Sequence, residues 1–422
     1  VPGPRCAGHD PEVTRRLSAI ATRAANIADI DHALAVAAEL SATFAEGAAA
    51  RDGDRVLPHA QVRALKHSGL LTLSVPVAHG GLAAPASVLA EVFRLLAHGD
   101  PSLAQIPHSH YTFLEALRLQ GTATQQAFFY EKVMQGALFA NAQSERGPYP
   151  VDVDATTLVR DGEHYLLEGR KYYCTGALFA DWVIVRASVP GRPGDTPTSS
   201  TPKALAFVPA GTAGLEVVDD WDGMGQRTTA SGTVTLDGVR VPAERVVAFT
   251  PIFGAPSVYG ARAQLLHAAL DVGIATAALA EGVRQVGKAR PHFEAGVDTA
   301  ADDPTVVQLA GELTVTVRGA QALLAEAGRA VDAAATDLDS ERAAAASVAV
   351  GVAKVAAARA SLEASSALFE LGGTRSASGA ANLSRYWRDA RTHTLHDATR
   401  WKLQHIGRYT LSGTKPPRHG QL

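Results

Sequence analysis

Cysteine is nearly absent: the 422 residues include two, Cys6 and Cys174. Two thiols cannot build a disulfide framework, and they show no CxxC spacing for zinc. Cys6 falls in an unpatterned start, so the two are not expected to pair. Charge of one sign is also lacking. Lys and Arg number 39 and Asp and Glu 42, a net charge of −3 that attracts neither nucleic acid nor an anionic membrane. No run reads as the roughly 20 apolar residues needed to cross a bilayer. The opening VPGPRCAGHD lacks a basic start followed by an apolar run, so no signal peptide is expected. The first residue is not Met, which leaves room for an upstream segment. These absences predict a cytoplasmic protein with reduced thiols, no metal site, and neither membrane nor nucleic acid as a partner.

What is present is a chain long enough for two or three cores. Hydrophobic residues make up 46% and charged residues 19%, as in an ordinary packed globule. Residues 11–138 carry Ala-rich runs with apolar positions three and four apart, such as HALAVAAELSATFAEGAAA, and read as helices. From 139 to 249 the texture changes to short β-rich runs such as HYLLEG, WVIVRASV and SGTVTLDGVRV. Turn formers such as Asp161-Gly162 and Asp237-Gly238 separate them, as in an antiparallel barrel or sandwich. From about 260 long helical patterns return, apolar on more than one face. Such helices need partners on more than one side, which suggests a four-helix bundle and burial against a second subunit. The expected domains are therefore 1–138 (helical), 139–249 (β) and 250–422 (helical bundle).

Three stretches carry a family resemblance. Met224-Gly225-Gln226-Arg227, with Val239-Arg240-Val241-Pro242 after it, resembles the end of the β domain in acyl-CoA dehydrogenases. Lys171-Tyr172-Tyr173-Cys174-Thr175-Gly176 is similar to the segment that lies against the flavin ring there. LGGTRS at 371–376, then Arg388-Asp389-Ala390-Arg391, resembles that family's Gly-Gly turn and Arg-Asp pair. The matches are in order over roughly 30–410. They imply a mainly α chain with a central β domain: an N-terminal helical domain, a middle β-barrel and a C-terminal four-helix bundle, assembled as a homotetramer.

The resemblance also implies chemistry. Many acyl-CoA dehydrogenases carry their catalytic glutamate in a Tyr-Glu-Gly-Thr run after Arg-Asp-Ala. Here that position becomes His396-Asp397-Ala398. A carboxylate one methylene shorter argues against routine thioester dehydrogenation. An FAD-dependent dehydrogenase or a nitroalkane-oxidase-like enzyme with Asp397 as base is the alternative. The THTLHD run is more similar to the flavin-dependent monooxygenases related to dibenzothiophene monooxygenase. Those take reduced FMN from a separate flavin reductase and form a flavin C4a-hydroperoxide. The resemblance thus implies reduced FMN (FADH2 possible), O2, and a small apolar or aromatic substrate such as a heterocycle, sulfide or amine.

The expected catalytic residues are His396, His393, Asn141, Thr175 and Asp397. His393 and His396 are three apart and would share a helical face, where imidazole can donate to a peroxide or relay a proton. Asn141 brings an amide that both donates and accepts. Tyr173, Thr175, Ser144, Arg290, Gly372 and Gly373 are expected at the cofactor. His110 and Tyr111 are expected in the substrate pocket, on a segment with His108 whose facing Pro107 obscures. Each has a plainer reading. Gly372-Gly373 suits a helix C-cap and Arg388-Asp389 a surface ion pair. The histidines could be core residues, Asn141 a satisfied turn residue, and Arg290 an exposed helix end.

Overall fold

The computed structural model describes residues 26–148 and 150–422. Cys6 and the first part of the expected helical region lie outside them. Among the described residues seven α-helices come first: α1 (Ile30–Ala45), α2 (Ala48–Asp54), α3 (His59–His67), α4 (Ala86–Gly99), α5 (Pro101–Gln105), α6 (His108–Gln120) and α7 (Ala123–Met134). Their starts follow from capping chemistry. Asp29 accepts from the His32 amide, Asp100 from Ser102 and Leu103, and Thr122 with Gln125 forms a reciprocal capping box.

Eight strands follow: β1 (Phe139–Ala142), β2 (Thr157–Asp161), β3 (His164–Lys171), β4 (Trp182–Ser188), β5 (Lys203–Pro209), β6 (Leu215–Val218), β7 (Thr233–Pro242) and β8 (Val246–Ala248). They form one sheet in the order β6-β7-β3-β2-β4-β5-β8, with β1 added beside β4. Most neighbours are antiparallel. However, β1 runs parallel to β4, Asn141 opposite Ile184, and β2 touches β4 in parallel at Thr157 and Ser188. β4 alternates little; its residues are buried on both faces apart from Arg186, which explains the continuous apolar run WVIV.

The last part is α8 (Tyr259–Val286), α9 (Pro304–Thr336), α10 (Ser340–Gly372), α11 (Ser384–His393) and α12 (Thr399–Ser412). α9 and α10 begin at Asp303 and Asp339, each accepting from backbone amides of its first turn. Contrary to the absence of spanning runs expected from the sequence, α8, and α10 with its extension to Ala377, are long and apolar enough by length and composition to cross a membrane. Their apolar faces are spent inside the protein instead. α8 packs on α10 and α4, and its residues Leu265, Ala268, Ala269, Val272 and Ala275 share one core with α1, α4, α9 and α10. The N-terminal helices and the bundle thus form a single apolar body, on which the sheet rests.

Candidate active site

The first half of the site is built by β1 and the turn after β3. Tyr173 takes a left-handed backbone conformation, φ 57°, a costly state for a residue with a side chain. The strain turns its carbonyl inward, where it accepts from the Asn141 side-chain amide at 3.1 Å and from the Thr175 backbone at 2.9 Å. The Tyr173 ring is left 44% exposed, edge-on to Trp221 at 6.2 Å, with the Arg146 guanidinium over it at 4.8 Å. Asn141 is held further by Gln143, which donates to its oxygen at 2.9 Å. Thus Asn141 and Thr175 are brought together as expected, and the Asn141 amide keeps a donor in reserve.

Hydrogen-bond direction can be traced for Thr175. Thr229 Oγ1 donates to the Gln226 carbonyl at 2.9 Å, so it must accept from Ser231 at 2.7 Å. Ser231 then accepts from Thr175 at 2.8 Å. The Thr175 hydroxyl therefore points its proton inward and its lone pairs outward, ready for an N–H donor such as a reduced flavin carries at N5. Cys174, between the two, is fully buried, and burial pushes its thiol up to about 12, which keeps it protonated and unreactive. Ser144 is exposed beside this turn; its backbone carbonyl accepts from Tyr172 at 2.8 Å.

The second half is a group of four histidines from three helices and a loop. His393 is fully buried; Nδ1 lies 2.5 Å from Asp271 Oδ1 and Nε2 lies 3.0 Å from His267 Nδ1. The other Asp271 oxygen takes Lys354 Nζ at 2.7 Å. The His267 ring lies between His108, centroids 3.8 Å apart, and His396, 4.0 Å apart. His108 Nε2 must donate to the Ala263 carbonyl, 2.9 Å away. Burial and neighbouring positive charge hold His267 well below the ordinary imidazole range, and burial takes His108 down to about 3. Three rings thus have nitrogens committed. His396 is exposed, with the bulk of the protein close around it. That surrounding mass pulls its pKa below the ordinary value; Asp397 opposes this, and the Lys354 and Lys402 cations add to it.

Several expected residues are placed differently. His110 is fully buried, and both its ring nitrogens are used: Nε2 on the Leu71 carbonyl at 2.9 Å, Nδ1 accepting from Phe139 N at 3.2 Å. Tyr111 donates to the Leu70 carbonyl at 2.6 Å. His110 anchors α6, and Tyr111, besides anchoring it, lines a small cavity with Leu89, Tyr259 and Leu266; His108 is the residue of that segment which joins the histidine group. Asp397 is 7% exposed and its carboxylate lies 2.9 Å from Lys402 Nζ. Burial would raise its pKa, but Lys354, Lys402 and His396 outweigh that and hold it below the ordinary range. Arg290 is exposed at the far end of α8, as is Phe293. Gly372 and Gly373 lie at that same end, where Arg375 donates to the Lys288 carbonyl at 2.8 Å. From His267 to Val286 the helix rises roughly 28 Å, so this cluster is remote from the histidines of its own chain.

The two halves are tied by backbone. Gly176 packs on Ile106, just before His108, and the Phe139 amide reaches His110. On the other side the Met224–Arg227 turn docks on α11. Arg388 donates to the Met224 carbonyl at 2.8 Å and pairs with Asp52, while the buried Asp389 accepts from the Gln226 amide at 2.6 Å. Arg388-Asp389 is therefore a domain clamp, not a surface pair. Gly225 lies so close that a Cβ there would sit 2.0 Å from the Arg388 carbonyl oxygen. Residues that the sequence reading passed over are Trp221, His267, Asp271, Lys354 and Lys402. The signal for two of them was legible: His267 and Asp271 stand one turn apart in LLHAALDVGIA, where polar residues on an apolar face demand partners. Among the described residues no group of three or more His, Cys, Asp or Glu could hold a metal ion.

Comparison with known proteins agrees with this architecture. The family profiles described as Acyl-CoA dehydrogenase N-terminal, middle and C-terminal domain match residues 32–137, 140–239 and 265–401. A probable FMNH2-dependent monooxygenase, SfnC, of Pseudomonas putida is 32% identical over 91% of this chain and 96% of its own. The dibenzothiophene monooxygenase of Rhodococcus qingshengii is 32% identical over 91% and 94%. Among solved structures, FMN-bound TdsC from Paenibacillus sp. A11-2 superposes with a TM-score of 0.87 at 31% identity, over 92% of this chain and 100% of that one. Methanesulfinate monooxygenase MsuC from Pseudomonas fluorescens gives 0.84 at 31%, over 92% and 99%. The chain belongs to the acyl-CoA dehydrogenase family, in its branch of flavin-dependent monooxygenases.

Proposed function

We propose that this chain is the oxygenating component of a two-component monooxygenase. It takes reduced FMN, with FADH2 as the other carrier its fold accepts, from a separate flavin reductase. It then inserts one atom of O2 into a small apolar or aromatic substrate, a heterocycle, sulfide or amine. The bound flavin would supply the oxygen chemistry, as a C4a-hydroperoxide. The chain's own residues supply the rest. Tyr173 and Trp221 offer aromatic edges to the ring system, Thr175 an acceptor for N5–H, and Asn141 a spare amide donor. His396 would hold a proton at the distal oxygen, the atom that passes to the substrate, while the other atom of O2 leaves as water.

The observation that carries this reading is the uncommitted His396 ring beside three committed ones. Its relatives add support: one is by name FMNH2-dependent, TdsC has been solved with FMN and indole, and another acts on methanesulfinate. Asp397 as an α-proton base fits less well, since its carboxylate already faces Lys402. Arg290, Gly372 and Gly373 are remote from the histidines of their own chain, so in a homotetramer they would serve a neighbouring subunit's flavin. We place the enzyme in the cytoplasm, where reduced flavin is made.

The test is to mix anaerobically reduced FMN with the protein, admit O2 with candidate substrates, and follow rapid spectra, product and hydrogen peroxide. The protein should purify nearly colourless and give oxygenated product. Stoichiometric FAD surviving gel filtration, with no oxygenation, would overturn the reading in favour of an oxidase.

A further inference from the structure

Four buried groups behind His396 have no role in the scheme so far. Lys354, Asp271 and His393 are each 2% exposed or less, and His267 is 2% exposed. A Lys–Asp pair that merely joined α8 to α10 would use both carboxylate oxygens on the lysine or on backbone. Asp271 divides them instead, one to Lys354 and one to His393. Lys354 already neutralises the carboxylate, so a second cation on His393 would be buried without a counter-ion, an expensive state. The neutral arrangement has one consistent pattern. His393 donates from Nδ1 to Asp271 and offers the lone pair of Nε2. His267 must then donate from Nδ1 at 3.0 Å, which fixes its ring plane under His396.

We propose that Asp271, clamped by Lys354, is a positioning residue for the oxygenation: it fixes which nitrogens of His393 and His267 carry protons, and through the adjoining His267 ring it fixes how readily His396 holds the proton it delivers. This rests on the reading of His396 as the proton donor. The order of command runs Lys354, Asp271, His393, His267, His396, across α10, α8, α11 and back to α8. The chain reaches no solvent at its Lys354 end, so it is an orienting device and not a conduit. The groups facing His396 are Asp397 on its own segment, His393 on α11, His267 on α8, His108 on α6, Lys354 on α10 and Lys402 on α12. Of these, Lys354 is the one whose effect Asp271 offsets, so the two residues should move His396 in opposite directions.

The test uses the full-length protein without flavin, with 13C- and 15N-labelled histidine. Ring carbon shifts of the parent should report Nδ1–H for both His393 and His267; the opposite tautomer at either overturns the proposal. The His396 titration midpoint should fall by about half a pH unit or more in Asp271→Asn and rise as much in Lys354→Met. The double variant should return close to the parent. If Asp271→Asn does not fold, the rise in Lys354→Met and its reversal in the double variant decide the matter. Midpoints that do not move overturn the proposal. With reduced FMN and substrate, Asp271→Asn should divert several-fold more O2 to hydrogen peroxide with substrate KM unchanged, and an unchanged share overturns the positioning role. His396→Phe separates the two ideas. If it keeps coupled turnover, the donor role falls; if only the Asp271 and Lys354 titrations are flat, the donor role stands and the relay falls.

Discussion

Two of the buried polar networks in this protein are built on opposite rules. In the β domain, Lys171 is fully buried and reaches Glu145 at 2.6 Å, Asp154 at 3.1 Å and the Gln143 carbonyl at 3.1 Å. Arg186 and Lys203 close on Asp154 at 2.8 and 3.4 Å. Burial would raise the Asp154 carboxyl, but Arg186, Lys171 and Lys203 hold it down at about 2. Every charge there is answered, so nothing is left to react. The histidine group is nearly neutral, and it answers every ring except one. A closed ionic network fixes a shape. An almost closed neutral one fixes a shape and leaves a single exposed valence, which is what a proton donor requires.

The contrast can be broken most forcefully at Lys171. Lys171→Met leaves Glu145 with only the Ala155 and Thr156 amides and no cation, and Asp154 short of a partner, and should cost ~3 kcal/mol or more of stability in denaturant unfolding. A loss below ~1 kcal/mol would mean the network is dispensable. At the other network, His396→Phe keeps the ring volume and should still bind flavin. Oxygenation should fall on the order of 100-fold, with O2 diverted to hydrogen peroxide. Stopped-flow spectra with product and peroxide counted together decide it.

Asp389 sharpens the comparison from the clamp between the halves. Burial raises its carboxyl to about 7, Asp52 adds to this, and the Gln226 amide opposes it. An unfolded aspartate titrates near 3.9, so between about pH 4 and 7 the folded protein holds the extra proton. This contribution to stability is complete below the lower value and lost as pH rises through the upper. Asp389→Asn keeps an acceptor for Gln226 but cannot ionise. It should flatten that fall, gaining on the order of 2 kcal/mol relative to the parent at pH 8, read by unfolding at a series of pH values. The smallest effect is expected at Gly373, φ 61° with open space around its Cβ position. Gly373→Ala should cost ~1 kcal/mol by backbone strain alone. In thermal melts a much larger loss would show that a neighbouring chain covers this turn.

How far the sequence could be read depended on where the information lay. The three-part fold was legible because periodicity changes from helix to strand and back, and because Met224–Arg227 and Arg388-Asp389 are local motifs. The pairing between those motifs, backbone amide to carboxylate across 163 positions, was not. Asn141 and Thr175 could be named from resemblance, but their junction depends on a strained carbonyl at Tyr173 that no propensity would suggest. Pro107 resets the helical phase, so His108 and His110 could not be told apart by spacing. Lys354 was hidden in an Ala-rich helix whose overall hydrophobicity masks a single polar residue; the same apolarity lets α8 and α10 pass for membrane spans by composition.

One contact decides how wide the site can be. Thr175 and His396 sit on separate domains, and at Gly225 those domains touch backbone to backbone, with no side chain as cushion. Residue 225 therefore acts as a shim of zero thickness. A single methyl there, as in Gly225→Ala, would lever α11 and the His396 loop outward while leaving every wall residue chemically intact. Few other positions would change the reach between the flavin wall and the proton donor without changing either, so a search for variants accepting bulkier substrates has a natural place to begin.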